Sequence, residues 1–327
     1  MITTLQDVWN EYQQDMELLE RRIHESLSSP VALIQQVGAY ILNAGGKRFR
    51  PMLLVLAARL CGSQGRNTEY LLGSVIEFIH TASLLHDDVV DEAKLRRGRS
   101  SANSLWGNQA SILVGDYLYS KALYLAVRLQ NQRVMDVLSE TTTTMSEGEV
   151  LQLMQIQNAD MTEQDYFRLV ECKTGVLIAA ACRLGAIISS APAAQEEAIA
   201  VYGSRLGLAF QITDDTLDYT ADQAQLGKML GKDLEEGKIT LPLIFLLRKA
   251  TTAEKSELQR IINADSLTPD DLSSVFELMK KHGSVAEALL SARAFADEAR
   301  EALQVFPDSA PRRSLLALAD FVVRRDM

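Results

Sequence analysis

The chain has 327 residues, 47% of them hydrophobic, and a formal net charge of −10. That is ample material for a core, and with no basic face or tail it excludes a nucleic-acid binder. Cys61, Cys172 and Cys182 are odd in number, sit in apolar helical contexts and lack CxxC spacing, which points to buried thiols in a reducing compartment.

The N-terminus carries charges throughout and no apolar signal segment, and the longest apolar stretch, 175–194, is broken by Arg183, so a cytoplasmic protein with no transmembrane segment is expected. Apolar residues at three- and four-residue spacing run through 33–60, 70–85, 110–129, 134–153, 167–188, 198–217, 241–247 and 286–303. Strand-like alternation is nearly absent. The prolines, at 30, 51, 192, 242, 269, 307 and 311, suit helix starts or loops. No linker or low-complexity tract divides the chain. The expectation is one all-α domain over 1–327, a single large helical bundle with a more polar C-terminal quarter packed around it.

The chemistry-bearing residues follow in chain order. Ala44-Gly45-Gly46-Lys47-Arg48-Phe49-Arg50-Pro51 ends one helix and starts the next, placing three cations at a helix N-terminus, either as a basic turn or as an anion site. Asp87-Asp88-Val89-Val90-Asp91 closes the apolar run 79–85, and Asp214-Asp215-Thr216-Leu217-Asp218 closes the run 206–212. Residues four apart share a helix face, so Asp87 pairs with Asp91 and Asp214 with Asp218. Carboxylates ending apolar helices repel one another unless cations lie between them. Mg²⁺ suits such a site because it binds through one or two carboxylates and completes its shell with water and phosphate oxygens. His80 lies two helical turns before Asp87, on the same face, either as a core residue or as a donor to a phosphate. Arg96-Arg97-Gly98-Arg99 follows in a polar loop with the geometry of guanidinium suited to phosphate. Lys173-Thr174-Gly175 interrupts an otherwise apolar helix, Gln211 shares the face of Asp214 and Asp218, and Gly227-Lys228, Gly231-Lys232-Asp233 and Gly237-Lys238 form a Gly-punctuated basic loop, read either as a surface loop or as a lid. Together these make an inventory for two diphosphates. One is clamped by both aspartate clusters through Mg²⁺, the other held without metal by Lys47, Arg50, His80 and Arg97.

The succession GGKRFRP, LLHDDVVDEAKLRRG, GEVLQL, KTG, FQITDDTLDY and GKDLEEGK resembles the trans-isoprenyl diphosphate synthase family over nearly the whole chain. That resemblance implies the isoprenoid synthase type of helical bundle with a central cavity, and a homodimer. It implies about three Mg²⁺ per active site, two at Asp87 and Asp91 and a third at Asp214, with Asp88, Asp215 and Asp218 completing the metal motifs. Arg96, Lys173, Thr174, Gln211, Lys228 and Lys238 would contact the allylic diphosphate, with Lys173, Thr174, Gln211 and Lys228 serving catalysis. Lys47, Arg50, His80 and Arg97 would hold isopentenyl diphosphate. Lys232, where relatives often carry an acid, and Ile239, where Pro is common, depart from the pattern.

The implied reaction ionises an allylic diphosphate, adds isopentenyl diphosphate to the cation and loses a proton. Ala82 and Ser83, just before Asp87, are small where short-chain relatives carry bulky aromatics, so the growing chain is expected to pass them. It would continue along Ile79 and Val75 toward a floor carrying Leu125 and Leu138. An eight-unit product grown from a farnesyl primer is favoured, a precursor of respiratory quinone side chains, with nine units next. Transient membrane contact would serve product release. A terpene cyclase would carry an Asn/Ser/Glu second motif, a non-catalytic partner subunit would lack one acidic motif, and a His-Asp phosphohydrolase, suggested by His86-Asp87, would need more histidines than the chain has.

Overall fold

Local sequence sets most helix ends. In a computed structural model, which describes residues 4–44, 48–65, 67–220, 231–264 and 266–324, Thr4, Thr162, Thr251 and Thr268 each cap a helix in a reciprocal capping box with an acid three residues on. Pro242 and Pro269 lie in first turns, where a missing N–H costs nothing. Lys47 and Lys228 lie outside the described residues.

The chain divides into two compact units. The first comprises Met1–Thr142, Leu177–Gly203 and Leu303–Ala317. It contains α1 (Leu5–Glu11), α2 (Gln13–Ser26), α3 (Ala32–Asn43), α4 (Phe49–Leu60) and α5 (Asn67–Val90). After these come β1 (Leu95–Arg96), β2 (Arg99–Ser100), α6 (Ala102–Trp106), α7 (Asn108–Val127) and the first half of α8 (Gln132–Gln155). Helix α5 is its spine and packs most extensively on α7, then on α4 and α2. Residues Leu72, Val75, Ile76, Phe78, Ile79 and Ala82 are fully buried along it, against Leu118, Ala122 and Ala126 of α7. The loop expected at 95–103 contains a short antiparallel hairpin, β1 with β2. Its turn residues Arg97 and Gly98 both have positive φ, 51° and 74°, as a type I′ hairpin turn requires.

The second unit comprises Thr143–Val176, Ser204–Ala302 and Leu318–Met327. Helix α9 (Glu163–Val170) runs through a π-helical turn, Glu171–Gly175, toward α10 (Val176–Ile188). That turn is the structural form of the expected interruption at Lys173-Thr174-Gly175. Beside it the later part of α11 (Ala193–Leu217) comes so close that a Cβ on Gly207 would lie 2.6 Å from the Gly175 Cα, which only glycine permits. The apolar core joins Tyr166, Leu208, Ile212, Leu241, Phe245, Leu258, Val275 and Ala292. It draws on α12 (Lys232–Glu235), α13 (Leu241–Lys249), α14 (Thr252–Ile262), α15 (Pro269–His282) and α16 (Ser284–Ala302), and α17 (Ala310–Arg324) ends the described chain. The polar C-terminal quarter is thus a set of amphipathic helices. Among the described residues the protein is all-α as expected, apart from the hairpin. Cys172 and Cys182 are buried, Cys61 is half-buried, and none is in a disulfide. Burial raises the Cys61 thiol to about 11. No helix among the described residues is long and apolar enough to cross a membrane.

Candidate active site

The first aspartate motif occupies the last turn of α5, where Asp91 N–H donates to the Asp87 carbonyl at 2.8 Å. The second occupies the last turn of α11. Helix C-termini carry negative partial charge, so both triplets stand where carboxylates are least favoured. A function that brings cations there resolves the conflict.

Within each triplet the middle aspartate is held by protein. Asp88 is fully buried, and its carboxylate accepts from Arg96 Nε at 2.7 Å while its carbonyl accepts from Asn103 Nδ2 at 3.0 Å. Arg96, expected at the allylic diphosphate, therefore anchors the hairpin to the end of α5, and Arg97 follows it with an exposed side chain. Asp215 accepts from Tyr166 Oη at 2.6 Å and from Gln211 Nε2 at 2.7 Å, and Gln211 Oε1 accepts from Thr174 Oγ1 at 2.9 Å. Burial raises the Asp215 carboxyl to about 6, as do Asp214 and Asp218, against the lowering effect of its two hydrogen bonds. This relay ties the π-helical turn to the second motif. Asp218 accepts from the Asp233 backbone N–H at 2.9 Å, while burial and the nearby Asp215 and Asp218 raise the Asp233 carboxyl well above the carboxylate range, with Lys238 opposing them. Asp214 is exposed, whereas Asp87, Asp91 and Asp218 are half-buried.

Lys173, Lys232 and Lys238 of the second unit have acidic partners. Lys173 Nζ lies 2.8 Å from Glu149 and donates to Gln152 Oε1 at 2.6 Å. Lys238 and Lys232 both reach Glu236, at 2.6 and 2.8 Å. In the first unit, Arg50 Nη1 is 3.1 Å from His80 Nε2. Arginine only donates, so Nε2 accepts and the proton of a neutral His80 sits on Nδ1. Burial, followed by Arg50, Arg97, Arg96 and Arg48, depresses the His80 pKa well below its ordinary value, so the ring is neutral near pH 7. Of the expected group, Arg50 and His80 are in contact, and Arg97 is near enough for its charge to act on His80.

His86 is directed elsewhere. Its Nε2 is 3.1 Å from the Ile112 carbonyl, its ring stacks on Tyr119, and Gly115 leaves room for it. His282 is paired with Glu254 and His24 lies near Glu20, which leaves a histidine-ligated hydrolase without its ligands.

The donor set tests whether Mg²⁺ fits. Among the described residues no group of three or more His, Cys, Asp or Glu is arranged to hold a metal. The motifs instead offer hard carboxylate oxygens in pairs at helix C-termini, the donor type Mg²⁺ uses when substrate and water complete its shell. The raised carboxyls of Asp215 and Asp233 are those that a nearby cation would relieve, so the residues fit the ion.

Sequence reasoning missed Tyr166, Glu149, Gln152 and a role for Asp233. The GEVLQL run gave a signal for two of them, since Glu149 and Gln152 are three apart and therefore neighbours on one helix face.

The "Polyprenyl synthetase" family profile matches residues 31–279, across both units. The octaprenyl diphosphate synthase of Escherichia coli (strain K12) is 44% identical over 313 residues, covering 96% of each chain. The crystal structure of a decaprenyl diphosphate synthase from Rhodobacter capsulatus superposes with a TM-score of 0.94 at 43% identity, covering 98% of this chain and 99% of that one. A polyprenyl synthase from Caulobacter crescentus CB15, complexed with calcium and isoprenyl diphosphate, also superposes with a TM-score of 0.94, at 38% identity over 99% of each chain. The chain belongs to the polyprenyl synthetase family and is a prenyltransferase of the trans-polyprenyl diphosphate synthase kind.

Proposed function

We propose that this chain, as a single prenyl synthase domain over 1–327, is an octaprenyl diphosphate synthase. It adds isopentenyl diphosphate repeatedly to an allylic primer, farnesyl diphosphate, to give the C40 precursor of a respiratory quinone side chain. The observation that carries the reading is the coexistence of two aspartate triplets at helix C-termini with a basic group, Arg50, His80 and Arg97, in the first unit. A terpene cyclase has no use for the second cationic site.

Asp87, Asp91 and Asp214 would hold Mg²⁺, with Asp218 and Asp233 adding negative charge and Asp88 and Asp215 fixing the two turns. Bound there, Mg²⁺ supplies charge neutralisation for the departing diphosphate. Lys173 and Lys238 add cations to the same diphosphate, exchanging their present acidic partners for phosphate oxygens, and Lys228, outside the described residues, adds a third. The C1–O bond breaks, its electron pair leaves with the diphosphate, and the allylic cation remains. The Thr174 and Gln211 oxygens, fixed by the relay to Asp215, place fixed dipoles beside that cation. Arg50, Arg97, Lys47 and neutral His80 orient isopentenyl diphosphate so that its double bond attacks C1. A proton then passes from the new tertiary cation to the released diphosphate, which restores an allylic product one unit longer.

Ala82, Ile79 and Val75 are fully buried on α5, Ser83 is half-buried, and Leu138 is buried beyond them with Leu125 half-buried. Small residues at Ala82 and Ser83 support passage of a long chain. The fully buried Ala122 and Ala126 of α7 favour a deeper tunnel and make nine units the second reading. Ile112, Leu113, Leu123, Tyr124 and Val127 of α7 are exposed, which supports pairing of α7 with a second copy. The reading also places the enzyme in the cytoplasm, with transient membrane contact at product release. Mass analysis of the lipid formed from farnesyl diphosphate, isopentenyl diphosphate and Mg²⁺ tests it: a dominant C40 product is expected, and a C45 or C50 product, or none, overturns it.

A further inference from the structure

We propose that Arg48 is a positioning residue of the isopentenyl diphosphate site, holding the buried carboxylate of Glu77 so that it does not compete with the substrate for Arg97. This rests on the reading of that site given above.

Arg48 belongs to the same basic stretch as Arg50, yet its guanidinium is bonded to protein groups at every side-chain nitrogen. Its backbone is left-handed (φ 44°, ψ 38°), rare for a residue with a side chain, and its carbonyl accepts the N–H of Met52 at the start of α4. Its side chain is only 8% exposed. Nε donates to Glu20 Oε1 at 2.5 Å and Nη2 to Glu20 Oε2 at 3.2 Å, Nη1 donates to Glu77 Oε1 at 2.8 Å, and Nη2 also donates to the Leu42 carbonyl at 2.9 Å. These bonds join α2, α3 and α5 and commit the guanidinium to the protein.

Glu77 is the partner that matters for function. It is 7% exposed and lies one turn before His80 on α5. A buried carboxylate without a counter-ion is strongly unfavourable. Partial desolvation lowers the pKa of Arg97, although its side chain is exposed, Arg96 adds to that effect, and Glu77 opposes them, so the Glu77 charge reaches Arg97. If Arg48 were lost, Glu77 would draw on Arg97, one of the substrate's own cations. Glu20 makes no such demand, because it is 37% exposed to water and has His24 at 3.9 Å.

The test is calorimetric titration with isopentenyl diphosphate in EDTA, which reads the metal-free site without turnover, on the wild type, Arg48→Met, Glu77→Gln and the double variant. Arg48→Met is expected to weaken binding about tenfold or more, the scale of a displaced charge-assisted contact. Glu77→Gln alone should stay within about threefold of wild type, and the double variant should return to that range, because the unpaired charge is gone. A general loss of fold would not be repaired by a second core substitution. Should Arg48→Met not fold, Arg48→Lys serves: one ammonium cannot hold both acids in the guanidinium's geometry, so an intermediate loss, again repaired by Glu77→Gln, is expected. Unchanged binding in the Arg48 variants, or a double variant as weak as the single, overturns the proposal. A wild type that binds no isopentenyl diphosphate overturns the site reading as well, and so separates the two failures.

Discussion

Replacing Tyr166 with Phe removes one hydroxyl from the interior of the second unit, and with it the 2.6 Å bond to Asp215. A hydrogen bond to a charged group is worth about 1.5–3 kcal/mol, and about 1.4 kcal/mol corresponds to a tenfold change in proton affinity. The Asp215 carboxyl, already raised to about 6, would then titrate at roughly 7 to 8. Near neutral pH its ionised fraction would fall from roughly nine-tenths to between about a half and a tenth. The neighbouring aspartates would bind Mg²⁺ in a weaker field, so half-saturation in the condensation assay should rise about two- to tenfold near pH 7 and by less than about twofold near pH 8.5. The assay is the initial rate of isopentenyl diphosphate incorporation against Mg²⁺ at both pH values, with ellipticity as a check on folding. An Mg²⁺ requirement that does not change with pH in the variant would refute the role given to the Tyr166–Asp215 bond.

In EDTA, Asp215 and Asp233 bind protons more tightly folded than unfolded. The Asp215 contribution to stability is full below the ordinary carboxylate range and is lost as pH rises through about 6, so the wild-type melting temperature should fall relative to that of Asp215→Asn across this window; a rise contradicts the shift. Arg50→Ala should raise KM for isopentenyl diphosphate far more than KM for the primer, and Lys173→Ala should show the reverse; equal effects in both variants would mean the sites are wrongly divided. Ala82→Phe should shorten products to about three or four units with turnover retained, at roughly one isoprene unit per helical turn. A full-length product from that variant would place the tunnel elsewhere.

The parts of the site that were legible in sequence are those set by spacing along one helix. Asp87 with Asp91, Asp214 with Asp218, and Gln211 with the second motif follow from residues three to seven apart. His80 and Arg50 were grouped only as parts of one diphosphate site, and their contact at 3.1 Å is tertiary. What stayed hidden depends on pairing through space. Tyr166 and Asp215 are 49 residues apart, and Lys173 and Gln152 are 21 apart. Nothing local marks Tyr166 as more than a core aromatic. The hairpin at 95–100 was read as loop because two-residue strands carry no alternation, although Arg97-Gly98 satisfies the positive φ that such a turn demands. The π turn appeared in the sequence only as a polar break, and the approach of Gly207 to Gly175 beside it is tertiary. Arg48 and Arg50 look alike in a run of basic residues. Only the left-handed backbone at Arg48 and two buried or half-buried acids mark it as a structural cation.

The central claim is that the paired aspartates at helix C-termini activate a diphosphate leaving group through Mg²⁺. The most direct measurement is the rate at which labelled isopentenyl diphosphate enters a butanol-extractable product, wild type against Asp214→Ala, at saturating primer and Mg²⁺. Wild-type turnover and a loss of about a hundredfold or more in the variant, with helical content preserved, is the expected result. A variant that turns over at close to the wild-type rate would contradict it.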